Sequence, residues 1–295
     1  MNSICIEKEN ILKQLVLHSM FLVYCLLSLL PLALIIIISF TDEGFLSLIG
    51  YRFFPDKIDI NAYIYIFTGS STVSNAYFVT IFVTLVGTFL NLLFTSLLSY
   101  PLTRHEVRYR KALTLFVMFP LLFSGGLVPW YILITKYLHL NNNIFSLILP
   151  FTVSSVYVLI MKNFFKALPD AIIESARIDG SGEFKTFMVI VLPLSKPILA
   201  TAGLFVGVYF WNDWFTCSLF ISNSKMYCLQ YLLQIIMNQI AYLQGNPMLQ
   251  KTLDNLPSES ARMATCVIAV LPILFLYPFL QKYIVKGLTL GAVKT

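Results

Sequence analysis

Five charges fall within twelve consecutive positions of this chain, ESARIDGSGEFK: Glu174, Arg177, Asp179, Glu183 and Lys185. Charge at that density can grip a polar partner. The small residues between them, Ser175, Ala176, Gly180, Ser181 and Gly182, let another backbone come close. A second constellation lies in the run YFWNDWF, where Asp213 sits among Tyr209, Phe210, Trp211, Asn212, Trp214 and Phe215. A carboxylate at the centre of an apolar membrane segment costs about 2.5–3.5 kcal/mol on insertion scales, so function is its default reading. Aromatic faces beside amide and carboxylate groups suit sugars, whose CH faces stack while their hydroxyls need polar partners. Trp211, Asn212, Asp213 and Trp214 are therefore candidates for a solute path. An aromatic belt at a membrane–water boundary with an incidental polar pair explains the same residues, and both readings stand.

Other chemistries find no footing. Cys5, Cys25, Cys217, Cys228 and Cys266 form no CxxC pair, and His18, His105 and His139 are scattered, so no metal-ligand spacing arises. No HExxH or GxSxG occurs, and no nucleophile–base pair argues for a catalytic residue. The tail GLTLGAVKT has glycines before Lys294 and Thr295, but its spacing is wrong for a phosphate-binding loop and no helix follows to hold a phosphate. No nucleotide or metal site is expected in this polypeptide.

The elements that position these residues follow from composition. Of 295 residues 58% are hydrophobic and 12% charged, and mean hydropathy is +0.80. That is far from a soluble domain and implies an all-α integral membrane protein. Apolar runs of about 20 residues cross the hydrocarbon core. Six appear, at roughly 15–40, 75–100, 112–136, 144–164, 198–221 and 263–284. The first is too long for a signal-peptide core and lacks a small-x-small cleavage site. Pro120, Gly125, Gly126 and Pro129 predict a kink or break in the third. No internal repeat is visible.

Lys and Arg resist translocation and so set orientation. With the amino terminus inside, the cytoplasmic segments hold fourteen of the 20 Lys and Arg residues. The outer side keeps Arg52, Lys57, Lys136, Lys225, Lys251 and Arg262. Both termini are then cytoplasmic, and so is the 165–197 segment with its charges. Basic residues spread along one membrane face are what topology requires, and no basic stripe with interleaved aromatics points to nucleic acid.

Pro169 and Asp170 read as a helix start, and Gly180 as the left-handed residue that ends that helix. Ser181 is expected to cap a second helix with Glu183 in its first turn. That helix carries Phe184, Phe187, Met188 and Val191 at helical spacing, and Pro193 ends or bends it. A plain connector needs neither two capped helices nor an apolar face, so a cytoplasmic docking element is the reading preferred over a solvated loop.

Here the sequence resembles a family. Glu174-Ser175-Ala176, three residues, Gly180, nine residues, Ile190, one residue, then Leu192-Pro193 is similar to the EAA loop of ABC importer permeases, with Ser175 departing from the first alanine. WNDWF (211–215), LPSESARMA (256–264) and QKYIVKGLTLGAVKT (281–295) resemble the lipoprotein-associated oligosaccharide permeases within the maltose-type group. The resemblance implies a type I importer permease fold with six transmembrane helices over 1–295. It also implies a coupling role for Glu174, Ser175, Ala176, Ile178, Gly180, Ile190, Leu192 and Pro193. Glu174 would make polar contacts with a cytosolic ATPase, Gly180 would set the turn, and Ala176 and Ile178 would pack into the ATPase groove. Implied partners are a homologous second permease, two ATPase subunits that bind ATP and Mg, an extracellular solute-binding lipoprotein and an oligosaccharide substrate, all at a bacterial cytoplasmic membrane.

Residues 222–262 form the largest outer loop. Leu229, Leu232, Leu233, Ile236, Ile240 and Leu243 predict an amphipathic helix there, with a polar tip at 244–260. Residues 41–74 read as an interfacial anchor bearing Tyr51, Phe53, Phe54, Tyr63 and Tyr65. An ion-coupled secondary transporter of a small polar solute is the alternative. It would need intramembrane coordinating carboxylates, and Asp213 alone is thin support.

Overall fold

An apolar backbone in lipid must satisfy its own hydrogen bonds, and helices do so within one segment. The computed structural model describes residues 2–55, 57–68, 72–245 and 259–290. Among these no strand forms, only an isolated bridge between Thr41 and Ile58. In chain order the helices are α1 (Asn2–Ser39), α2 (Glu43–Ile49), α3 (Asn61–Thr68), α4 (Thr72–Ser99), α5 (Arg110–Leu122), α6 (Leu127–Tyr137) and α7 (Phe145–Phe151). There follow α8 (Ser155–Lys166), α9 (Asp170–Ile178), α10 (Glu183–Leu194), α11 (Lys196–Asn212), α12 (Phe215–Phe220), α13 (Leu229–Gly245) and α14 (Glu259–Leu290).

Two stretches, Lys13–Ser39 and Val73–Thr103, are by themselves long and apolar enough to cross a membrane. Others reach that length only as bent pairs. The predicted break in the third apolar run lies between α5 and α6, which meet at 112°. Gly126 there has φ +83°, a left-handed conformation suited to glycine. The fourth run, expected as one helix, bends by 47° between α7 and α8. Pro150 sits in the 3₁₀ turn that ends α7, where a missing N–H is cheapest. The fifth run is interrupted at Asp213 and Trp214, between α11 and α12. The predicted amphipathic helix is α13, with Leu229, Leu232, Leu233 and Ile240 buried. Residues 246–258 of the polar tip at 244–260, and the tail at 291–295, lie outside the described residues.

The chain packs as two compact units, Met1–Ser70 with Ile236–Val270, and Ser71–Ile235 with Leu271–Thr295. In the first unit the segment read as an interfacial anchor is held by polar contacts. Asp42 Oδ1 accepts the Phe45 N–H at 3.1 Å to start α2, and Lys57 pairs with Asp42 at 2.8 Å. Glu43 accepts the backbone N–H groups of Glu259 and Ser260 at 2.9 and 3.0 Å, placing a carboxylate on the positive end of α14. The Tyr51 hydroxyl donates to Glu259 at 2.7 Å.

In the second unit α4 packs against α11 through small residues, as membrane helices do when no water drives them together. A Cβ on Gly87 would meet the Phe210 ring at 2.6 Å, and one on Gly203 would meet Leu92 at 3.1 Å. Breaks in the backbone find local partners. Asn91 of α4 donates its amide to the Phe151 carbonyl at 2.7 Å, and Ser99 donates to the Val158 carbonyl at 3.0 Å. Asn91→Leu strands the Phe151 carbonyl, at a cost of about 1–3 kcal/mol. Thermal unfolding of the detergent-solubilised protein should shift down by several degrees, whereas an unchanged midpoint would mean that the carbonyl finds another donor.

Candidate functional site

The charged segment folds as an elbow. Asp170 stands in the first turn of α9 and Arg177 in its last, each complementing the helix dipole. The helix ends in a pair of capping bonds. The Ser181 N–H donates to the Ala176 carbonyl at 2.9 Å and the Gly180 N–H to the Arg177 carbonyl at 3.0 Å. This is the 6→1 and 5→2 pattern of a Schellman cap, whose C′ residue is left-handed; Gly180 has φ +77°. Ser181 does not cap the next helix as expected. Gly182 takes the N-cap position of α10 without a side-chain bond, and Ser181 Oγ accepts instead from the Thr186 hydroxyl at 3.3 Å.

Within α10 residues 187–191 adopt π geometry. Pro193 two residues later brings no N–H, and a widened turn relieves the clash of its ring with the preceding carbonyls. The chain turns by 78° into α11, at Ser195 rather than at the proline.

The elbow has an inner and an outer face. Ile173 and Ala176 of α9, with Phe187 and Val191 of α10, are buried. Ile173, Phe187 and Val191 join Tyr100, Met161, Phe165, Ile198 and Ala202 in one apolar cluster. That cluster welds the elbow to the ends of α4, α8 and α11. Ala176, which the resemblance assigns to the ATPase groove, is buried within the chain. Glu174, Ser175 and Ile178 face out, Ile178 at 86% exposure. Glu174 makes no hydrogen bond or ion pair among the described residues, while Ser175 donates to the Ile172 carbonyl at 3.0 Å. Ile190 and Leu192 are half-buried and Pro193 is exposed.

Arg177 ties the elbow to the rest of the unit. Its Nε and Nη2 reach Glu183 Oε1 at 2.9 and 2.8 Å, and its Nη1 donates to Glu106 in the 104–109 loop. The Tyr100 hydroxyl donates to the second Glu183 oxygen at 2.7 Å, and the Arg104 guanidinium lies over the Tyr100 ring at 4.6 Å. The Arg177 hydrogen bond holds the Glu106 carboxyl down at about 2. Glu106, Tyr100 and Arg104 did not stand out as site residues in the sequence. The only signal was the density of charge in RHEVRYRK (104–111), which topology alone explained.

A second feature in the same unit is a cleft of about 740 Å³ lined chiefly by aromatic side chains, among them Trp130, Phe151, Tyr157 and Tyr209. Asn212, Asp213 and Trp214 line it; Trp211 does not and is buried. Asp213 also has a structural duty, since its Oδ1 accepts the Thr216 N–H at 3.0 Å and caps α12. The Asn212 amide donates to the Val208 carbonyl at 3.0 Å, and its oxygen accepts from Gln230 at 3.4 Å. The two roles of Asp213 separate by substitution. Asp213→Asn keeps a capping oxygen and removes only the charge, so stability should stay within about 0.5 kcal/mol. Asp213→Ala removes both and should cost about 1 kcal/mol. A change in apparent transport affinity shared by both variants would assign the charge to the solute path; unchanged transport in Asp213→Asn would leave a cap alone.

Comparison with known proteins accounts for this arrangement. Residues 95–290, which include the elbow and the cleft-lining helices, match the family described as binding-protein-dependent transport system inner membrane component. The chain is 40% identical to Protein LplC of Bacillus subtilis over 270 residues, covering 91% of this chain and 90% of that protein. It is 34% identical to the polygalacturonan/rhamnogalacturonan transport system permease protein YtcP of the same organism, covering 97% and 99%. It also superposes on a chain from the crystal structure of a bacterial ABC transporter involved in import of the acidic polysaccharide alginate. There the TM-score is 0.80 at 26% identity, covering 91% of this chain and 95% of that one. The elbow, the all-α framework and these likenesses have one explanation: the chain belongs to the binding-protein-dependent transport system inner membrane component family, and is a membrane subunit of an ABC importer with the type I permease fold.

Proposed function

We propose that this permease pairs with a homologous sister subunit to form the path for an oligosaccharide handed over by an extracellular binding lipoprotein. Two cytosolic ATPase subunits, which bind the ATP and Mg, drive it through the α9–α10 elbow. The single observation that carries this reading is the two-faced elbow. Its inner face is continuous with the core at the ends of α4, α8 and α11. Its outer face offers Glu174, which has no partner among the described residues, beside an exposed Ile178. A displacement imposed at the outer face therefore moves the spans as a body, which is what switching between two permease states requires.

The solute class follows the relatives. A relative named for polygalacturonan/rhamnogalacturonan transport and a neighbour named for alginate import support a carbohydrate, and an aromatic cleft with an amide and a carboxylate on its wall suits sugar rings. In this reading both termini lie in the cytoplasm, as the Lys and Arg distribution favours. The test is co-purification with uptake. An ATPase subunit should travel with the tagged chain, and uptake of a labelled oligosaccharide should stop when ATP is depleted while the ion gradient is kept. Uptake that follows the gradient and ignores ATP would overturn the reading.

A further inference from the structure

Four cations crowd a second cavity that the transport reading does not use. It measures about 440 Å³ and is walled by Arg110, Lys111, Lys162 and Lys166, with His105 and Thr114 at its side. No carboxylate lines it, and none of the four cations has a carboxylate partner among the described residues. Their contacts are with a hydroxyl and an imidazole ring. Lys162 Nζ donates to the Thr114 hydroxyl at 3.0 Å, and Arg110 meets the His105 ring at 3.3 Å. Two of the cations stand where a helix dipole opposes them. Arg110 and Lys111 open α5, whose first turn has no acidic residue and whose N-cap, Tyr109, offers no side-chain bond. An anion placed among like charges at a positive helix end relieves their mutual repulsion.

The neighbouring surface says which anion. Leu115 lines the cavity and shares a helix face with Phe119 and Leu122, and all three are more than half exposed. A polar, cationic mouth thus runs directly into an apolar track along α5. A free phosphate would use the first and leave the second idle; a phospholipid uses both. We propose that this cavity binds the phosphodiester headgroup of an anionic membrane phospholipid, with an acyl chain lying along Leu115, Phe119 and Leu122. Basic pockets between membrane helices recognise such headgroups by the same chemistry. The proposal requires only that α5 and α8 enter the bilayer at this end and is independent of the solute carried.

The test uses the complete transporter purified in mild detergent, with bound lipid counted by native mass spectrometry after incubation with phosphatidylglycerol or phosphatidylcholine. Phosphatidylglycerol should be retained at least tenfold better than phosphatidylcholine, and excess inorganic phosphate should not displace it. Lys111→Gln/Lys162→Gln/Lys166→Gln should lose that preference, whereas Lys162→Arg should keep it. If the triple variant fails to assemble, Lys162→Gln and Lys166→Gln singly should each lower retention about threefold. Equal retention of the two lipids, undiminished retention in the single variants, or displacement by phosphate alone would overturn the proposal; the last result would identify a free-anion site instead.

Discussion

Gly180→Val is expected to abolish uptake while the permease still reaches the membrane at its normal level. The reason is backbone geometry. A Cβ at Gly180 would meet nothing within 4 Å, so crowding plays no part, but φ is +77°. An ordinary L-residue in that region costs roughly 1–2 kcal/mol, and a β-branched one more, because its side chain crowds the following carbonyl. The cheapest escape is to abandon the left-handed conformation, which breaks the Ser181–Ala176 and Gly180–Arg177 capping bonds and re-aims α9 relative to α10. The buried core under the elbow does not include position 180, so folding and insertion survive. Gly180→Asn is the control, since asparagine tolerates left-handed backbone, and it should retain most of the uptake. Immunoblots of membranes with uptake assays distinguish the cases. Normal uptake by the valine variant would mean that no tight turn is needed there.

Arg177→Ala should uncouple transport from ATP use. Each of its ion pairs is partly exposed and on its own would contribute at most about 1 kcal/mol. Together they join three separate pieces, α9, α10 and the 104–109 loop. Losing them leaves the apolar cluster as the sole tie between α9 and the end of α4 and loosens that link, so uptake should fall about tenfold, equivalent to ~1.4 kcal/mol of coupling. ATP hydrolysis by the assembled complex should change little. Arg177→Lys should rescue poorly, because an ammonium cannot fork between two carboxylates. Glu106→Gln should give a smaller loss, and the double variant should resemble Arg177→Ala alone, since residues in one network do not add. Glu106 is held near 2 by its arginine, so its share of the tie is fully present above the ordinary carboxylate range near 4.5. It is lost as pH falls towards 2, and no transition from this group should appear between pH 5 and 8. Additive losses in the double variant would argue that Arg177 acts alone.

The parts of this architecture that one could read from residues are those set by local chemistry. Gly180 was legible because a left-handed cap leaves its mark within ten residues. The break at Gly126 was legible because prolines and glycines cluster around it. The network around Arg177 was not, because Glu106 lies 71 residues from Arg177 and Tyr100 lies 83 residues from Glu183 along the chain. Only the packing of α4 beneath the elbow brings them together. Asp213 illustrates a different limit. As a carboxylate in an apolar run it signalled function, yet its first duty here is to accept an N–H where the fifth run breaks. The aromatic residues around it hid that break, since they are equally at home in a continuous helix. Trp211 was grouped with its neighbours by adjacency, but helical rotation turns it into the core while Asn212 and Asp213 face the cleft. Pro150 was a readable signal for the bend between α7 and α8, and the long apolar run around it masked it.

Cysteine cross-linking at Ile178 addresses the central claim most directly. The side chain is 86% exposed on the outer face of the elbow, so Ile178→Cys should fold normally and present its thiol to whatever docks there. With single cysteines placed along the groove of the co-expressed ATPase subunit, an oxidant should produce a permease–ATPase cross-link. Its yield should change when ATP is added and hydrolysis blocked. A thiol at this position that is labelled by a membrane-impermeant reagent from outside intact cells, or that never joins the ATPase in the assembled complex, would contradict the account.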